Sequence, residues 1–176
     1  YILQSRLKDI TTYLLIMYIK NFEASNFKSA GVLLYDNSGF WLGKETKKNK
    51  KNKMQSLWCD YGGKREGLEK PFETARRECK EECGIDINDY TLTEMIYHPS
   101  SNSKHVIFMV CIPTNVEPEV KEGFEEKAKA TFWDSNDEYI HPRLRFDKGF
   151  LIHKKLQEMH LWDKKSSPKG LLFSPK

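Results

Sequence analysis

Three glutamates on one short helix are the residues of this chain best suited to chemistry. Glu78, Glu81 and Glu82 stand at positions i, i+3 and i+4, which places their side chains within an arc of about 100° on one helix face. Two carboxylates about 6 Å apart repel each other by roughly 3 kcal/mol at an effective dielectric constant of about 20. A divalent cation removes that repulsion, and a set of oxygen ligands without sulfur or imidazole favours Mg²⁺ or Mn²⁺ over zinc.

The helix that carries these glutamates has recognisable start and stop residues. Pro71 suits the first turn, where a missing N–H costs nothing, and Gly84 suits the left-handed residue that closes the helix. A narrow apolar stripe between them predicts that one face packs on a core, and its members are Phe72, Ala75, Cys79 and Cys83. The carboxylates are therefore expected on a rigid element, beside a tight turn at Gly62 and Gly63 whose carbonyl can be a further ligand.

The spacing around the glutamates resembles the Nudix hydrolase signature. That signature reads glycine, five residues, glutamate, seven residues, arginine and glutamate, an apolar residue, any residue, two glutamates, any residue, glycine and an apolar residue. The specified positions are matched, within 23 of the 176 residues, by Gly63, Glu69, Arg77, Glu78, Cys79, Glu81, Glu82, Gly84 and Ile85. A cysteine stands where an aliphatic residue is commoner, and cysteine is itself a small buried hydrophobe.

The resemblance implies a role for each matched position. The implied metal ligands are the carbonyl of Gly62 and the carboxylates of Glu78, Glu81 and Glu82, and each of these glutamates is also a candidate for the catalytic base. Arg77 is implied to pair with Glu69 and to hold the loop onto the helix, which orients the ligands. The metal is expected to be Mg²⁺, with Mn²⁺ as a substitute.

The family usually adds an acidic residue from a distant loop, as a metal ligand or as the base. Glu122 is the first candidate for both roles, with Glu125 and Glu126 as alternatives, because all three precede a strand predicted at residues 130–133. Three basic residues are candidates for substrate binding, namely Lys64, Arg143 and Arg145.

Composition indicates one soluble globular domain. The chain has 176 residues, of which 39% are hydrophobic and 31% charged. Its longest apolar run, residues 14–19, is too short to span a bilayer, and the first 22 residues lack a secretory cleavage pattern. The four cysteines show no C-x-x-C spacing, which predicts buried free thiols and a reducing, cytoplasmic environment.

The order of the predicted elements indicates the fold class. Strands are predicted at residues 29–35, 40–44, 57–61, 91–98, 104–112 and 130–133. Helices are predicted at residues 71–83 and 147–161, and a polar loop at residues 46–53. This pattern predicts an α/β fold with a mixed β-sheet between helices, which agrees with the α/β/α sandwich that the Nudix resemblance implies.

The domain organisation follows from the same pass along the chain. Residues 1–28 are expected to be an N-terminal extension that packs on the domain, residues 29–163 the Nudix hydrolase domain, and residues 164–176 a flexible tail. The resemblance also implies a homodimer, for which the N-terminal segment offers apolar residues.

Net charge is only +4, but lysines crowd one segment just before the motif: Lys44, Lys47, Lys48, Lys50, Lys51 and Lys53. One interpretation is a solvated loop. The other is a rim that attracts phosphate at the mouth of the active site, because clustered lysines steer polyanions.

The resemblance implies a metal-dependent pyrophosphohydrolase that cleaves a diphosphate linkage in a nucleoside diphosphate joined to another group. Nucleoside triphosphates are favoured as substrates because the chain is compact, and capped RNA is the second candidate because of the lysine segment. A non-catalytic nucleotide- or RNA-binding module on the same fold is the alternative from another class, although such modules usually lack one or more of the metal glutamates. A basic nucleic-acid-binding domain would need clustered arginines and lysines over a reading surface, which the lysine segment alone does not supply.

Overall fold

The structure of the chain is a computed structural model. It describes residues 13–14, 16–23, 27–48, 51–97, 104–121, 123–130, 139–144, 152, 154–155, 157–158 and 173–174. The predictions for Glu122 and Arg145 concern residues outside these ranges, as does nearly all of the tail predicted at 164–176.

One mixed sheet of eight strands forms the centre of the described structure. The strands are β1 (Ser29–Asp36), β2 (Gly39–Lys48), β3 (Met54–Cys59), β4 (Tyr61–Lys64), β5 (Thr91–Ile96), β6 (His105–Cys111), β7 (Glu126–Ala130) and β8 (Phe173–Ser174). Their order is β5-β6-β1-β2-β7-β8, with β3 paired to β2 and β4 paired to β1. The β1–β6 pair is parallel and the other named pairs are antiparallel, which confirms the predicted mixed sheet.

Strands β1 and β2 form a hairpin that opens into a wedge. They pair only near their turn, from Leu34 opposite Trp41 to Asp36 opposite Gly39. Beyond that point β2 pairs with β3 and β1 pairs with β4. Asp60 is the single residue between β3 and β4. The one strand predicted at 57–61 is therefore corrected to two strands. The break between them lies where the chain stops pairing with β2 and begins to pair with β1.

The polar loop predicted at 46–53 is shorter than expected. Strand β2 continues to Lys48, and β3 begins at Met54. The lysines on β2 are thus held in a paired strand, because Lys47 lies opposite Gln55 and Lys48 opposite Met54. Cross-strand pairing fixes where their side chains point.

Helix α1 (Pro71–Cys83) packs on one face of the sheet and confirms the helix predicted between Pro71 and Gly84. Its predicted apolar stripe is buried against β1, β4 and β6 and consists of Phe72, Ala75, Cys79 and Cys83. The Glu73 carboxylate accepts the backbone N–H of Lys70 at 2.7 Å. The helix ends at Gly84, which has a φ of 80°, a left-handed conformation that glycine adopts without steric cost.

A second core lies on the opposite face of the sheet. Leu33, Phe40 and Ile107 pack there against Ile140 and against the helical residue Ile152, which is fully buried. Apolar residues thus cover both faces of the sheet, as the α/β/α sandwich requires.

Two further sequence predictions can be compared with the described residues. The four cysteines are free, and all except the half-buried Cys111 are buried. In the ranges that the structure describes, no helix is both long and apolar enough to cross a membrane.

Candidate active site

Glycines bring the backbone of β4 against both β1 and α1. Gly62 lies opposite Gly31 in the β1–β4 pair, and a Cβ built on Gly62 would overlap the Cα of Gly31 and the carbonyl of Ala30. A Cβ on Gly63 would overlap the carboxylate of Glu78. The absence of these two Cβ atoms therefore lets the loop backbone approach the acidic face of the helix.

Arg77 joins the loop to that acidic face. Its Nε donates to Oε1 of Glu69 at 2.8 Å and its Nη2 to Oε2 at 3.2 Å, so the pair that the resemblance implied is present. Nη2 also donates to the carbonyl of Lys64 at 3.0 Å. Nη1 donates to Glu78 at 2.9 Å and to Glu81 at 3.1 Å. One guanidinium thus neutralises part of the charge of the cluster.

These contacts shift the protonation of the pair. The hydrogen bond from Arg77 lowers the pKa of Glu69 to about 2. The hydrogen bond to Glu69 in turn raises the pKa of Arg77 above its ordinary value. Both groups therefore stay charged at neutral pH, and the pair keeps the loop and the helix together.

Glu82 has a different environment from its neighbours. Its Oε2 is buried without a hydrogen-bond partner among the described residues. Burial raises the pKa of Glu82 to about 8, and the nearby charges of Glu78 and Asp60 act in the same direction. Arg143 and a hydrogen bond from the backbone of Gly62 oppose that shift. A buried carboxylate oxygen without a donor is a position where a cation would remove an energetic cost.

Burial also raises the pKa of Glu78, although its hydrogen bond with Arg77 opposes the change. Glu81 is more accessible, with 60% of its side chain exposed. Glu78 and Glu81 both accept hydrogen bonds from Arg77, whereas Oε2 of Glu82 has no hydrogen-bond partner among the described residues.

The donor set fits a hard divalent cation. No three His, Cys, Asp or Glu side chains of the described residues are grouped so that they could hold a metal ion. Arg77 donates hydrogen bonds to Glu78 and Glu81 in this arrangement. The unpartnered oxygen of Glu82 and the carboxylates beside it are all oxygen donors, which suit Mg²⁺ or Mn²⁺. A bound cation would replace Arg77 as the counter-charge of the cluster.

A buried ion pair lies at Asp60, the residue that directly precedes strand β4. Asp60 is fully buried, and its Oδ1 accepts the Nε–H of Arg143 at 2.6 Å while its backbone carbonyl accepts the Nη2–H at 2.8 Å. Oδ2 lies 2.7 Å from Nε2 of His105, whose Nδ1 lies 2.7 Å from Oγ of Ser29. Burial alone would raise the pKa of Asp60, but the charges and hydrogen bonds of Arg143 and His105 hold it well below its usual range.

The contacts of this network bear on Arg143 as a candidate for substrate binding. Arg143 is only 12% exposed and uses two nitrogens on Asp60, so its first partner is a protein carboxylate. Lys64 lies exposed at the end of β4, beside the loop. Sequence reasoning missed the network, and the available sign was an aspartate placed between the apolar residues Cys59 and Tyr61.

The described candidates for the distant acid, Glu125 and Glu126, both contact Lys44 of β2. Glu125 is exposed and its backbone N–H donates to the carbonyl of Lys44 at 2.8 Å. Glu126 opens β7, and its carboxylate accepts from Nζ of Lys44 at 2.9 Å. Neither residue contacts Glu78 or Glu82 through a hydrogen bond in the described structure.

Several solved structures resemble this one. A Nudix hydrolase from M. smegmatis, RenU, is 14% identical, with a TM-score of 0.51 over 76% of this chain and 85% of that chain. An Ap4A hydrolase from C. elegans, in a binary complex, is 16% identical, with a TM-score of 0.45 over 59% and 79%. A bifunctional NMN adenylyltransferase/ADP ribose pyrophosphatase from Francisella tularensis, complexed with AMP and a Mn ion, is 15% identical, with a TM-score of 0.49 over 88% and 47%.

No curated protein sequence matches the chain. The model of the NUDIX domain family matches residues 26–154, which is well over half of the chain. Members of this family are pyrophosphohydrolases and generally depend on divalent metals. The match contains the glycine loop, helix α1 and Arg143. The chain therefore belongs to the Nudix hydrolase family.

Proposed function

We propose that this protein uses Mg²⁺, or Mn²⁺ in its place, to hydrolyse a diphosphate linkage in a nucleoside diphosphate joined to another group. The observation that carries the proposal is the buried, unpartnered oxygen of Glu82 next to the carboxylate of Glu78, on a helix that a glycine loop approaches closely. This arrangement places the carboxylate oxygens of the helix on one side of the candidate site and the backbone of the glycine loop on the other side.

The proposed ligands are the carbonyl of Gly62 and the carboxylates of Glu78, Glu81, Glu82 and Glu122. When bound, the metal would neutralise charge on the phosphate oxygens and make a water molecule more acidic. Arg77 and Glu69 would hold the ligands in position, as outer partners of metal sites do.

The chain itself must supply the base. Water attacks phosphorus, the P–O bond to the leaving phosphate breaks, and a carboxylate accepts one proton from the attacking water. The candidates for this base are Glu78, Glu81, Glu82 and Glu122. The products are a nucleoside monophosphate and a second phosphorylated fragment, or pyrophosphate if the substrate is a triphosphate.

Nucleoside triphosphates are the first substrate candidates because the chain is compact, with Lys64, Arg143 and Arg145 as binding candidates. Capped RNA is the second candidate, because lysines at the end of β2 and in the turn after it line a pocket of about 570 Å³. Lysines beside a pocket favour a ligand with more than one phosphate group.

A substrate screen with two variants tests the proposal. Wild type, Glu82→Gln and the control Glu73→Gln, which changes a glutamate on the first turn of the same helix, would be assayed with Mg²⁺ and with Mn²⁺. The panel contains nucleoside triphosphates, ADP-ribose, nucleotide sugars, diadenosine tetraphosphate and capped RNA. We expect metal-dependent release of a nucleotide by wild type and Glu73→Gln, and a loss of about 100-fold or more in Glu82→Gln. Nucleotide binding without turnover in all three proteins would instead support a non-catalytic module.

We also propose a cytoplasmic, homodimeric protein. The free, buried thiols suit a reducing compartment. Leu14 and Tyr18, which are 61% and 63% exposed, offer apolar surface for a second copy. Light scattering of wild type and Leu14→Ser would test the dimer, and a wild-type monomer at micromolar concentration would contradict it.

A further inference from the structure

Asp60 lies at the point where the chain changes its pairing partner. Strand β3 ends at Cys59 and pairs with β2, whereas β4 begins at Tyr61 and pairs with β1. The backbone of Gly62, whose carbonyl is a proposed metal ligand, follows Asp60 by two residues. The position of that carbonyl therefore depends on how the chain is held at Asp60.

Arg143 holds both the side chain and the backbone of Asp60. Its Nε–H donates to Oδ1 at 2.6 Å, and its Nη2–H donates to the backbone carbonyl at 2.8 Å. Because both hydrogen bonds come from one planar guanidinium, they fix the carboxylate relative to the peptide group that joins Asp60 to Tyr61. That peptide group leads directly into β4.

The segment that carries Arg143 is itself attached to β3. The backbone N–H of Trp58 donates to the carbonyl of Tyr139 at 2.7 Å, and the N–H of His141 donates to the carbonyl of Trp58 at 2.8 Å. Nδ1 of His141 accepts the backbone N–H of Arg143 at 3.1 Å. The guanidinium therefore extends from a backbone that is paired with β3 two residues before Asp60.

His105 holds the other carboxylate oxygen of Asp60. Its Nε2 lies 2.7 Å from Oδ2, and its Nδ1 lies 2.7 Å from Oγ of Ser29. Ser29 and His105 lie opposite each other in the parallel β1–β6 pair, and His105 is buried. Asp60 is thus joined to β1 and β6 through His105, and to residues 139–144 through Arg143.

Gly31 lies against both the Asp60 carboxylate and the backbone of Gly62. A Cβ built on Gly31 would overlap Oδ2 of Asp60, and a Cβ built on Gly62 would overlap the Cα of Gly31. Gly31 and Gly62 are also opposite each other in the β1–β4 pair. Because protein interiors are close-packed and transmit strain, a shift of the carboxylate is expected to displace the backbone at Gly62.

The two glycines after Asp60 contact the glutamates of α1. The backbone of Gly62 donates a hydrogen bond to Glu82, and a Cβ on Gly63 would overlap the carboxylate of Glu78. Binding sites need their ligands held within about 0.5 Å of the productive geometry. A displacement of this backbone would therefore disturb a carbonyl ligand and two carboxylate ligands together.

We propose that Asp60 is a positioning residue for the metal site: held by Arg143 and His105, it fixes the glycine backbone that supplies the carbonyl ligand and contacts Glu78 and Glu82. This inference rests on the proposed function. It adds a residue that lies outside the Nudix signature, which begins at Gly63. A folded protein without this network should hold the metal less tightly.

Metal binding separates positioning from support of the fold. Mn²⁺ alone is titrated into the nucleotide-free protein, and free Mn²⁺ is measured by electron paramagnetic resonance at a temperature where circular dichroism shows each variant to be folded. The variants are Asp60→Asn, Asp60→Asn/Arg143→Met and His105→Leu. Asp86→Asn is the matched control, because Asp86 also accepts two hydrogen bonds of 2.7 Å from an arginine, Arg76.

We expect Asp60→Asn and the double variant to bind Mn²⁺ about tenfold or more weakly. His105→Leu should bind it about threefold or more weakly, because Arg143 still holds Asp60 there. The control should stay within about twofold of wild type.

The double variant is the sharpest test. It removes one negative and one positive charge, so the net charge near the site is unchanged, and it should regain part of the stability lost on breaking the pair. It does not regain the contact with the Asp60 peptide, so its Mn²⁺ affinity should remain low.

Three results would overturn the inference. The first is an Mn²⁺ affinity that recovers in the double variant, and the second is a loss in the control as large as that in Asp60→Asn. The third is an unchanged affinity in His105→Leu, which keeps the ion pair and so decides the question if the Asp60 variants do not fold.

Turnover distinguishes a failure of this inference from a failure of the proposed function. If wild type binds Mn²⁺ but hydrolyses none of the panel substrates, while the variants bind Mn²⁺ more weakly, the positioning role stands and the catalytic proposal fails. If wild type hydrolyses a substrate and the variants keep its Mn²⁺ affinity and kcat, the positioning role fails and the catalytic proposal stands. A wild-type protein that binds no Mn²⁺ would overturn both.

Discussion

Replacing Arg143 by methionine should destabilise the protein far more than removing a comparable surface arginine. Asp60 is fully buried and Arg143 is 12% exposed, so the substitution leaves a buried carboxylate with His105 as a remaining hydrogen-bond partner. Breaking a buried ion pair costs about 3–5 kcal/mol, because the remaining charge keeps its desolvation penalty. At about 2–4 °C per kcal/mol for a chain of this size, the melting temperature should fall by roughly 6–20 °C.

A second arginine of this chain provides the control. Arg76 donates two hydrogen bonds of 2.7 Å to Asp86, but its side chain is 45% exposed. Exposed pairs contribute about 0–1 kcal/mol, so Arg76→Met should lower the melting temperature by no more than about 4 °C. The two variants lose the same functional group and differ mainly in burial.

Thermal and urea denaturation, followed by tryptophan fluorescence, would measure the effect. Adding Asp60→Asn to Arg143→Met should restore part of the lost free energy, because the orphaned charge is removed. Two results would contradict this role of the ion pair: an Arg143→Met protein that is no less stable than Arg76→Met, or a double variant that is clearly less stable than Arg143→Met alone.

The pH dependence has a definite sign. The pKa of Asp60 is lowered in the folded protein, so its stabilisation is fully present above the unfolded-state pKa of about 3.9 and is lost as the pH falls below it. The difference in stability between wild type and the Asp60→Asn/Arg143→Met protein should therefore shrink below about pH 4. A difference that is constant down to pH 2 would contradict this account.

Three further outcomes follow from the site. Gly63→Ala should weaken Mg²⁺ binding in a calorimetric titration by about tenfold, because its Cβ overlaps the carboxylate of Glu78; unchanged affinity would contradict this. Mg²⁺ affinity of wild type should rise between about pH 6 and 8.5, because burial raises the pKa of Glu82 to about 8 and binding must release that proton; a flat profile would argue against Glu82 as a ligand. Arg77→Lys should lower kcat about 10–100-fold, because lysine cannot make the two-nitrogen contact with Glu69; unchanged kcat would remove Arg77 from the site.

The sequence was sufficient for the helix and much of the sheet because their signals are local. Pro71 and Gly84 mark the ends of α1 within one residue, and the apolar stripe between them is buried. The turn between β1 and β2 was equally readable, since Asp36 and Gly39 close it. Such features depend on residues a few positions apart, so no knowledge of the fold is required.

The break between β3 and β4 could not be read in this way. It depends on strands β1 and β2 separating, so that one short segment pairs first with β2 and then with β1. The partners of Asp60 lie 45 and 83 residues away, and no local pattern links them. For the same reason the contact between Arg143 and Asp60 was not predicted, and substrate binding by Arg143 stays a prediction.

The sequence predicted the charge of the lysine segment but not its geometry. Its charge is evident in the sequence, and both interpretations, solvated loop and phosphate rim, remained open. The extension of β2 to Lys48 sets Lys47 and Glu45 on one face. That geometry creates the pocket, and it arises from pairing with β3 rather than from composition.

The contact between Gly31 and Gly62 limits how this site can diverge. Any side chain at Gly62 would strike the backbone of β1, and any side chain at Gly31 would strike the carboxylate of Asp60. Neither position can accept a larger residue unless its surroundings move as well, so a single substitution at either glycine is expected to be destabilising. A larger residue at Gly31 or Gly62 is therefore expected to arise only together with a second, compensating change in the residues that it would strike.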